Sequence, residues 1–468
     1  MQGNRTGTSF ADPTYEGTCP SGPFLGHLPM TSPKRACVIT YGCQMNEYES
    51  AVIERMLVER GFSLDANPEE ADLILLNTCT VRARPEHKVF SQLGAFRRLK
   101  QRRPEVRLIV CGCVAQQWGA GLLSRAPHVD AVIGSRDLRA LQRFLDGELG
   151  DTQVVAGCLE SDPFVDTPPL VRQSQVTAFV TIVEGCSYFC RYCIVPYVRG
   201  KATSRPLGGV LREVQFLAEQ GVREVTLLGQ SVNSYGRDLR GGPRFLDVLQ
   251  AVHQVPGIER IRFTSAHPRD FTEQLVEALP RLPKVCEHFH LPLQSGDDAV
   301  LKAMGRGYTA DQYLDLVGRL RRAAPEVAIT TDVMVGFPGE SEQAYGNTLS
   351  LMAQVRFDQA FMFKYSDRPG TRAATMESKV PAPEKQRRLE QLVAQQNRIA
   401  AEINAALVGR EMEVLVEGRD RTGNLLSGRT RTNKIFHLEG QATPGDLVQA
   451  RAERTYLWGF RGPIAARP

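Results

Sequence analysis

Three cysteines crowd into eight residues, Cys186-x-x-x-Cys190-x-x-Cys193, directly after an apolar run. Three thiolates on one loop can hold three corners of a four-iron cluster. The fourth iron is then left for a ligand that is not protein, since ferredoxin-type sites supply four cysteines per cluster. Zinc is the alternative, but structural zinc wants four ligands and catalytic zinc usually keeps histidine or a carboxylate close by. Spacing and strand context favour the cluster. Of the eleven cysteines in the chain, Cys43, Cys79 and Cys113 each follow another apolar run. Any one of them alone would more often be an inert buried thiol. Three at equivalent strand ends should converge at one sheet edge, where α/β domains place their sites, so a second cluster is expected there. Cys37 and Cys111 fall inside the runs and are expected in the core, while Cys19, Cys158 and Cys286 match no ligand pattern.

The elements that must carry these thiols are legible in the hydrophobic rhythm. Ala36–Thr40, Asp72–Leu76 and Arg107–Val110 read as strands buried on both faces, with helical stretches at Glu49–Arg60 and Lys88–Gln101 between them. This predicts a small parallel-sheet α/β domain over 34–148, after a flexible extension at 1–33 and before a linker at 149–172 that contains Thr167-Pro168-Pro169. From 173 to 405 the strand candidates are Ala178–Val183, Glu224–Leu228, Arg260–Phe263, Phe289–Leu293, Ala328–Val335 and Gln359–Lys364. Six βα units suit a partial TIM-like barrel with its site at the C-terminal strand ends, where the cysteine triplet falls. A charged, Gln-rich helix at Pro383–Leu407 leads out of it. The short Gly- and Pro-divided strands over 406–468 then predict a small all-β barrel of the oligonucleotide-binding kind.

Composition narrows the function classes. With 42% hydrophobic and 23% charged residues and a net charge of +5, the 468-residue chain reads as a multidomain globular protein. It has no run of about 18 apolar residues, so no membrane span is expected. It has no secretory leader pattern either, so a disulfide framework is a poor account of its cysteines. A cytoplasmic monomer is expected. Two basic regions stand out. Arg97, Arg98, Lys100, Arg102 and Arg103 read more as a solvated helix face than as a binding site. Arg419, Arg421, Arg429, Arg431, Lys434, Arg451 and Arg454, interspersed with Phe436, Tyr456 and Trp458, fit single-stranded or loop RNA, through phosphate neutralisation and base stacking.

Cys186-Ser-Tyr-Phe-Cys190-Arg-Tyr-Cys193 resembles the radical S-adenosylmethionine superfamily signature, with its aromatic residue before the last cysteine. Tyr41-Gly42-Cys43-Gln44-Met45-Asn46, Asn77-Thr78-Cys79 and Cys111-Gly112-Cys113 resemble the N-terminal motifs of the methylthiotransferase family. Glu184-Gly185, the 194–200 and 204–206 stretches, Leu228–Gly236, His290–Gly296 and Gly336–Glu340 fit the same family, so the resemblance covers about residues 34–466. It implies two [4Fe-4S] clusters, on Cys43, Cys79 and Cys113 and on Cys186, Cys190 and Cys193. S-adenosylmethionine would bind at the second, be cleaved to a deoxyadenosyl radical and also donate methyl. It further implies Tyr192 against the cofactor adenine, with a core aromatic as the other reading, and Gly229, Gln230, Gln294 and Gly336 lining the cofactor pocket, with plain βα turns as the other reading. The C-terminal barrel resembles the family's RNA-binding TRAM domain.

Gly42–Asn46 and Cys79-Thr80-Val81-Arg82 look like the branch that methylthiolates C2 of N6-isopentenyladenosine next to a tRNA anticodon. An anticodon-loop adenine can be splayed from its stack more easily than one in a duplex. That branch implies a tRNA anticodon stem-loop as partner and a flavodoxin-like or ferredoxin-like electron donor; the sulfur donor is not given. Branches acting on threonylcarbamoyl-adenosine in tRNA or on a ribosomal-protein aspartate are the near alternatives, and Gln44-Met45-Asn46 argues against both. A non-catalytic iron–sulfur RNA-binding protein is the alternative of another class, opposed by the intact triplet. Ser231, where the branch usually has Asn, and Ala83-Arg84-Pro85 depart from the pattern without touching a cluster ligand.

Overall fold

The apolar runs of the first domain become strands because parallel strands covered on both faces need no polar side. In the computed structural model, which describes residues 34–466 apart from 66, 81–82, 150–153, 158, 160 and 421, they are β1 (Arg35–Thr40), β3 (Leu73–Thr78) and β4 (Arg107–Gly112), joined by β2 (Ser63–Leu64), β5 (Ala131–Gly134) and β6 (Val154–Ala156). The expectations for 1–33, Cys19, Cys158, Arg82 and Arg421 lie outside the described residues. All six strands are parallel, in the order β2-β1-β3-β4-β5-β6. Helix α1 (Gln44–Glu59) contributes Ile53 and Leu57 to one face, and α2 (Ala83–Arg102) contributes Val89, Leu93, Phe96 and Leu99 to the other. Pro85 sits in the first turn of α2, where a missing N–H costs nothing.

β6 corrects the linker reading of 149–172. It is only three residues long and partly exposed, so it carries no apolar run; it is a strand because β5 offers an unpaired edge.

The second domain carries β7 (Thr177–Thr181), the short pair β8 (Val183–Glu184) and β9 (Thr203–Ser204), then β10 (Glu224–Leu228), β11 (Arg260–Phe263), β12 (His288–His290), β13 (Ala328–Val335) and β14 (Gln359–Lys364). β7-β10-β11 and β12-β13-β14 are parallel ladders, and the bridge Ile261–Val285 joins them into one curved sheet. Among the described residues no ladder returns from β14 to β7, so the six-unit barrel is partial. Val225, Leu227, Ile261, Phe263 and Phe289 pack outward against the helices. Alternate positions, among them Glu224, Thr226, Arg260, Arg262, His288 and His290, fill the inside with polar groups.

The chain leaves through helix Ala382–Ala405, fixed by Arg388 on the Glu340 carboxylate at 2.8 Å. β15 (Glu411–Arg419), β16 (Leu426–Thr430), β17 (Ile435–Glu439), β18 (Leu447–Arg451), β19 (Arg454–Tyr456) and β20 (Gly459–Ala466) follow, and the β17–β20 pairing closes them into a barrel around Phe436 and Phe460. This barrel docks on the open floor of the second domain. Arg260 reaches Glu413 at 2.7 Å and the Arg429 carbonyl at 2.8 Å, while Arg262 donates to the carbonyls of Thr430 and Arg431 at 2.8 and 2.7 Å. The described residues form one compact unit.

Candidate functional site

Cys43 caps α1, Cys79 follows β3 and Cys113 opens the short helix α3 (Cys113–Trp118) after β4. Adjacent parallel strands end side by side, so the three thiols meet. The neighbouring Cys79 thiol, helped by the Arg199 charge, brings the Cys43 thiol down to about 6 and the Cys113 thiol down to about 7. Sharing itself between them, Cys79 is pushed up. Two of the three are thus favoured as thiolates, the form that binds iron. Polar packing fixes the edge: Asn46 Nδ2 donates to Asn77 Oδ1 at 3.1 Å and to the Thr78 carbonyl at 3.2 Å, and Asn77 Nδ2 to Ser50 Oγ at 3.1 Å. Gly112 holds φ +91°, and a Cβ there would lie 2.4 Å from the Thr78 carbonyl oxygen.

The second trio lies on the loop after β8. Cys186 N donates to the Gly200 carbonyl at 3.0 Å and Cys193 N to the Cys190 carbonyl at 2.9 Å, which winds the loop. Burial, reinforced by the neighbouring cysteines, pushes the Cys186 and Cys193 thiols up to about 12. Arg306 opposes that shift and donates to Cys190 Sγ at 3.6 Å. Binding iron must therefore displace protons here. Gly185 enters the loop at φ +79°, where a Cβ would meet the Lys201 carbonyl oxygen at 2.3 Å. Among the described residues no three His, Cys, Asp or Glu side chains surround one point as ligands of a single metal ion. A cluster makes a different demand, with each thiolate on its own iron, and one arginine lies against a cysteine of each trio.

The expected cofactor contacts fare unequally. Gln230 accepts from Gly185 N at 2.6 Å, so its carbonyl holds the entrance of the cysteine loop. Gln294 is buried at φ +72° and pairs through its backbone with Asp332 and Met334. Phe189 and Ser265, also at the barrel mouth, share its positive φ, a strain that persists only where surroundings over-determine it. Gly229 and Gly336 do not leave space for a ligand at their missing side chains: a Cβ would meet Val232 and Val183 in one case and Lys385 in the other. Close protein packing is the reason for both glycines. Tyr192 packs with Met304, Phe337 and Tyr365, an arrangement closer to the core-aromatic reading. Ser231 is buried with its hydroxyl unpartnered, beside Asn233, which exchanges two hydrogen bonds with the His267 backbone.

Several site residues have no local sequence signal beyond lying in or near the motifs. Arg199 is almost fully buried and joins the two domains, donating to Cys113 Sγ at 3.2 Å, Glu49 at 2.6 Å and Glu184 at 3.3 Å. Burial raises Glu184 to about 8 against the pull of Arg199. Ile194 and Val198, from the loop after the second trio, pack on Cys113. A cavity of about 100 Å³ lies there, lined by Cys43, Cys79, Cys113, Arg199, Gln230 and Ser265 among others. The first cysteine trio thus opens toward the mouth that carries the second.

The basic regions resolve differently from the sequence reading. On α2, Lys100 pairs with Asp130 and Arg102 with Glu69, and just beyond it Arg103 pairs with Asp72, leaving Arg97 and Arg98 on an exposed face. In the C-terminal barrel, Arg431 is spent on Glu287 at 2.7 Å, Lys434 on Asp358 at 2.7 Å and Arg429 on Glu417 at 3.3 Å, and Phe436 is core. Arg431 and Lys434 are docking residues and Phe436 is core, while Arg429 is paired within the barrel with its side chain 38% exposed. Arg419, Arg451, Arg454, Tyr456 and Trp458 remain exposed.

Comparison with known proteins matches this layout. Residues 35–134 match the model described as "Uncharacterized protein family UPF0004", 180–352 the radical SAM superfamily and 405–462 the TRAM domain. Proteins named tRNA-2-methylthio-N(6)-dimethylallyladenosine synthase are 47% identical in Moorella thermoacetica, over 91% of this chain and 97% of that protein. The one from Syntrophobacter fumaroxidans is 46% identical, over 93% and 97%. A radical S-adenosylmethionine methyltransferase, TsrM, from Kitasatospora setae is similar in fold, with TM-score 0.55 and 13% identity over 73% of this chain and 75% of that one.

Proposed function

The chain belongs to the family of tRNA-2-methylthio-N(6)-dimethylallyladenosine synthases, and on that premise we propose that it replaces the C2 hydrogen of N6-isopentenyladenosine, beside a tRNA anticodon, with a methylthio group. The observation that carries this reading is the junction itself: one cysteine trio at a sheet edge opens onto the barrel mouth that holds the other, with Arg199 reaching across. Cys186, Cys190 and Cys193 would hold one [4Fe-4S] cluster and leave an iron open, and Cys43, Cys79 and Cys113 would hold a second. When bound, these clusters and S-adenosylmethionine supply one-electron cleavage chemistry, a methyl group and a route for sulfur.

The chain's own residues position and enclose. Gln230 holds Gly185 and so the barrel cysteine loop, and Arg306 balances charge at Cys190. Exposed Phe189 and Tyr197, in edge-to-face contact at the mouth, offer apolar surface to an extruded base. Arg451, Arg454, Tyr456 and Trp458 give the C-terminal barrel a face for RNA. An electron donor, flavodoxin-like or ferredoxin-like, is required by the chemistry, and a cytoplasmic monomer remains the expectation. Among the described residues no helix is long and apolar enough to cross a membrane.

The deciding experiment incubates anaerobically reconstituted protein with isopentenylated tRNA, S-adenosylmethionine, a sulfide source and a reductant, followed by nucleoside mass spectrometry. The methylthio product is expected. Product only on threonylcarbamoyl-adenosine tRNA would transfer the reading to the neighbouring branch.

A further inference from the structure

Each cysteine trio faces one buried arginine, and the assignment crosses the domain boundary in one case. Arg306, in the barrel, donates to Cys190 of the barrel trio. Arg199, also in the barrel and only six residues beyond Cys193, donates instead to Cys113 of the N-terminal trio at 3.2 Å. Its side chain is 3% exposed and its Nη2 is buried with no protein acceptor. Arg199 also lines the small cavity shared with Cys43, Cys79 and Cys113. A buried guanidinium N–H without a partner is costly, more so because the group is charged, so a site that keeps one has a use for it. The opposite charge is equally close: Glu49, on the same helix that Cys43 caps, takes Nη1 at 2.6 Å.

We infer that Arg199 is the positioning residue of the N-terminal trio, supplying the cation and the N–H donors at its Cys113 corner, so that the barrel sets the reduction potential of the cluster held by the first domain. This rests on the proposed second cluster. Potentials of iron–sulfur clusters follow net charge, hydrogen bonds to sulfur and exposure, and in a buried site one unit charge within bonding distance acts strongly. Reduction adds a negative charge, so a neighbouring cation makes it easier and a neighbouring carboxylate harder. The contacts divide between the trios: Arg199 donates to Cys113 and Arg306 to Cys190.

The test uses two full-length backgrounds, one with Cys186, Cys190 and Cys193 replaced by Ala and one with Cys43, Cys79 and Cys113 replaced by Ala, so that each holds a single cluster. Iron content is read first. Absence of iron from the first background removes the second cluster, and the proposed reading with it, before Arg199 is addressed. With about four irons bound, midpoint potentials are measured by titration followed by electron paramagnetic resonance. In the first background Arg199→Gln should move the midpoint negative, Glu49→Gln should move it positive, and Arg199→Lys should stay near the parent. In the second background Arg306→Gln should move the midpoint negative while Arg199→Gln leaves it in place. A merely structural role would not give shifts of opposite sign from two partners of one ion pair. If Arg199→Gln destabilises the fold, Glu49→Gln and Arg199→Lys still decide. Unchanged midpoints at full iron content, or equal Arg199 effects in both backgrounds, overturn the inference.

Discussion

Arg260 in β11 and Glu413 in β15 are 153 residues apart and meet at 2.7 Å, with the guanidinium 1% exposed. Glu224 and Arg262 extend the pair into a buried four-charge network under the barrel. The C-terminal barrel is therefore the floor of the second domain as well as a candidate RNA face. It is packed into the second domain through buried arginines.

Cutting the chain before Glu411 would uncover Arg260 and Arg262 and leave Glu224 as the one carboxylate beside both. Such a truncation is expected to lose stability along with RNA affinity. Glu413→Ala should cost about 3 kcal/mol, because one buried charge is left poorly compensated. Trp458→Ala, on the exposed face, should change stability by less than about 0.5 kcal/mol and weaken RNA binding by about 1–3 kcal/mol if a base stacks there. Urea unfolding beside binding of an anticodon stem-loop at two salt concentrations separates the two effects. A truncation that unfolds like the parent would show that the floor contributes little.

The two trios should divide the chemistry. Wild-type protein is expected to bind close to eight irons, four per cluster. Ala at Cys186, Cys190 or Cys193 should abolish both cleavage of S-adenosylmethionine and product. Ala at Cys43, Cys79 and Cys113 together should stop methylthiolation and leave cleavage intact, since each trio has its own backbone support. Deoxyadenosine and nucleoside assays on the same samples report both; methylthio-adenosine from the N-terminal triple variant would sink the division.

Two glycines offer a subtler version of that separation. Gly185→Ala forces a Cβ against the Lys201 carbonyl at positive φ, and Gly112→Ala does the same against Thr78. Strain of about 1–3 kcal/mol is expected at each, enough to displace one loop. Gly185→Ala should lower iron in the barrel trio and Gly112→Ala iron in the other. Full iron and wild-type cleavage in Gly185→Ala would mean that the loop relaxes at little cost.

Acid should unfold the apoprotein in part through His267. Burial and the charges of Arg306, Arg269 and Arg237 lower its pKa to about 2, so the folded protein holds the ring neutral. The unfolded chain takes up that proton near pH 6.5. Between these values the unfolded state binds more protons, so this contribution is complete above about pH 6.5 and is lost as pH falls. His267→Asn should flatten the dependence of unfolding free energy on pH between 5 and 7, measured by urea titration. An unchanged slope would assign the effect to other groups, buried His288 first.

Sequence alone determined the three-part architecture, because strand periodicity is a local property of the chain. Ala310–Ala323 reads as a helix in both sequence and structure for the same reason, its apolar face repeating at the helical period between a Thr309 cap and a closing basic turn. What it could not give is the pairing of charges distant along the chain. Arg431 and Trp458 look alike as RNA contacts in sequence, yet one is bound to Glu287 and the other is exposed. Gly336 is expected to line the cofactor pocket or make a plain βα turn, and the fold sets it at φ +74° against the Lys385 side chain. Arg199 stands among motif residues without a sign that it serves Cys113, 86 positions earlier. A charged side chain has no fixed role until folding sets its partner and its distance from water, and only the tertiary structure decides both.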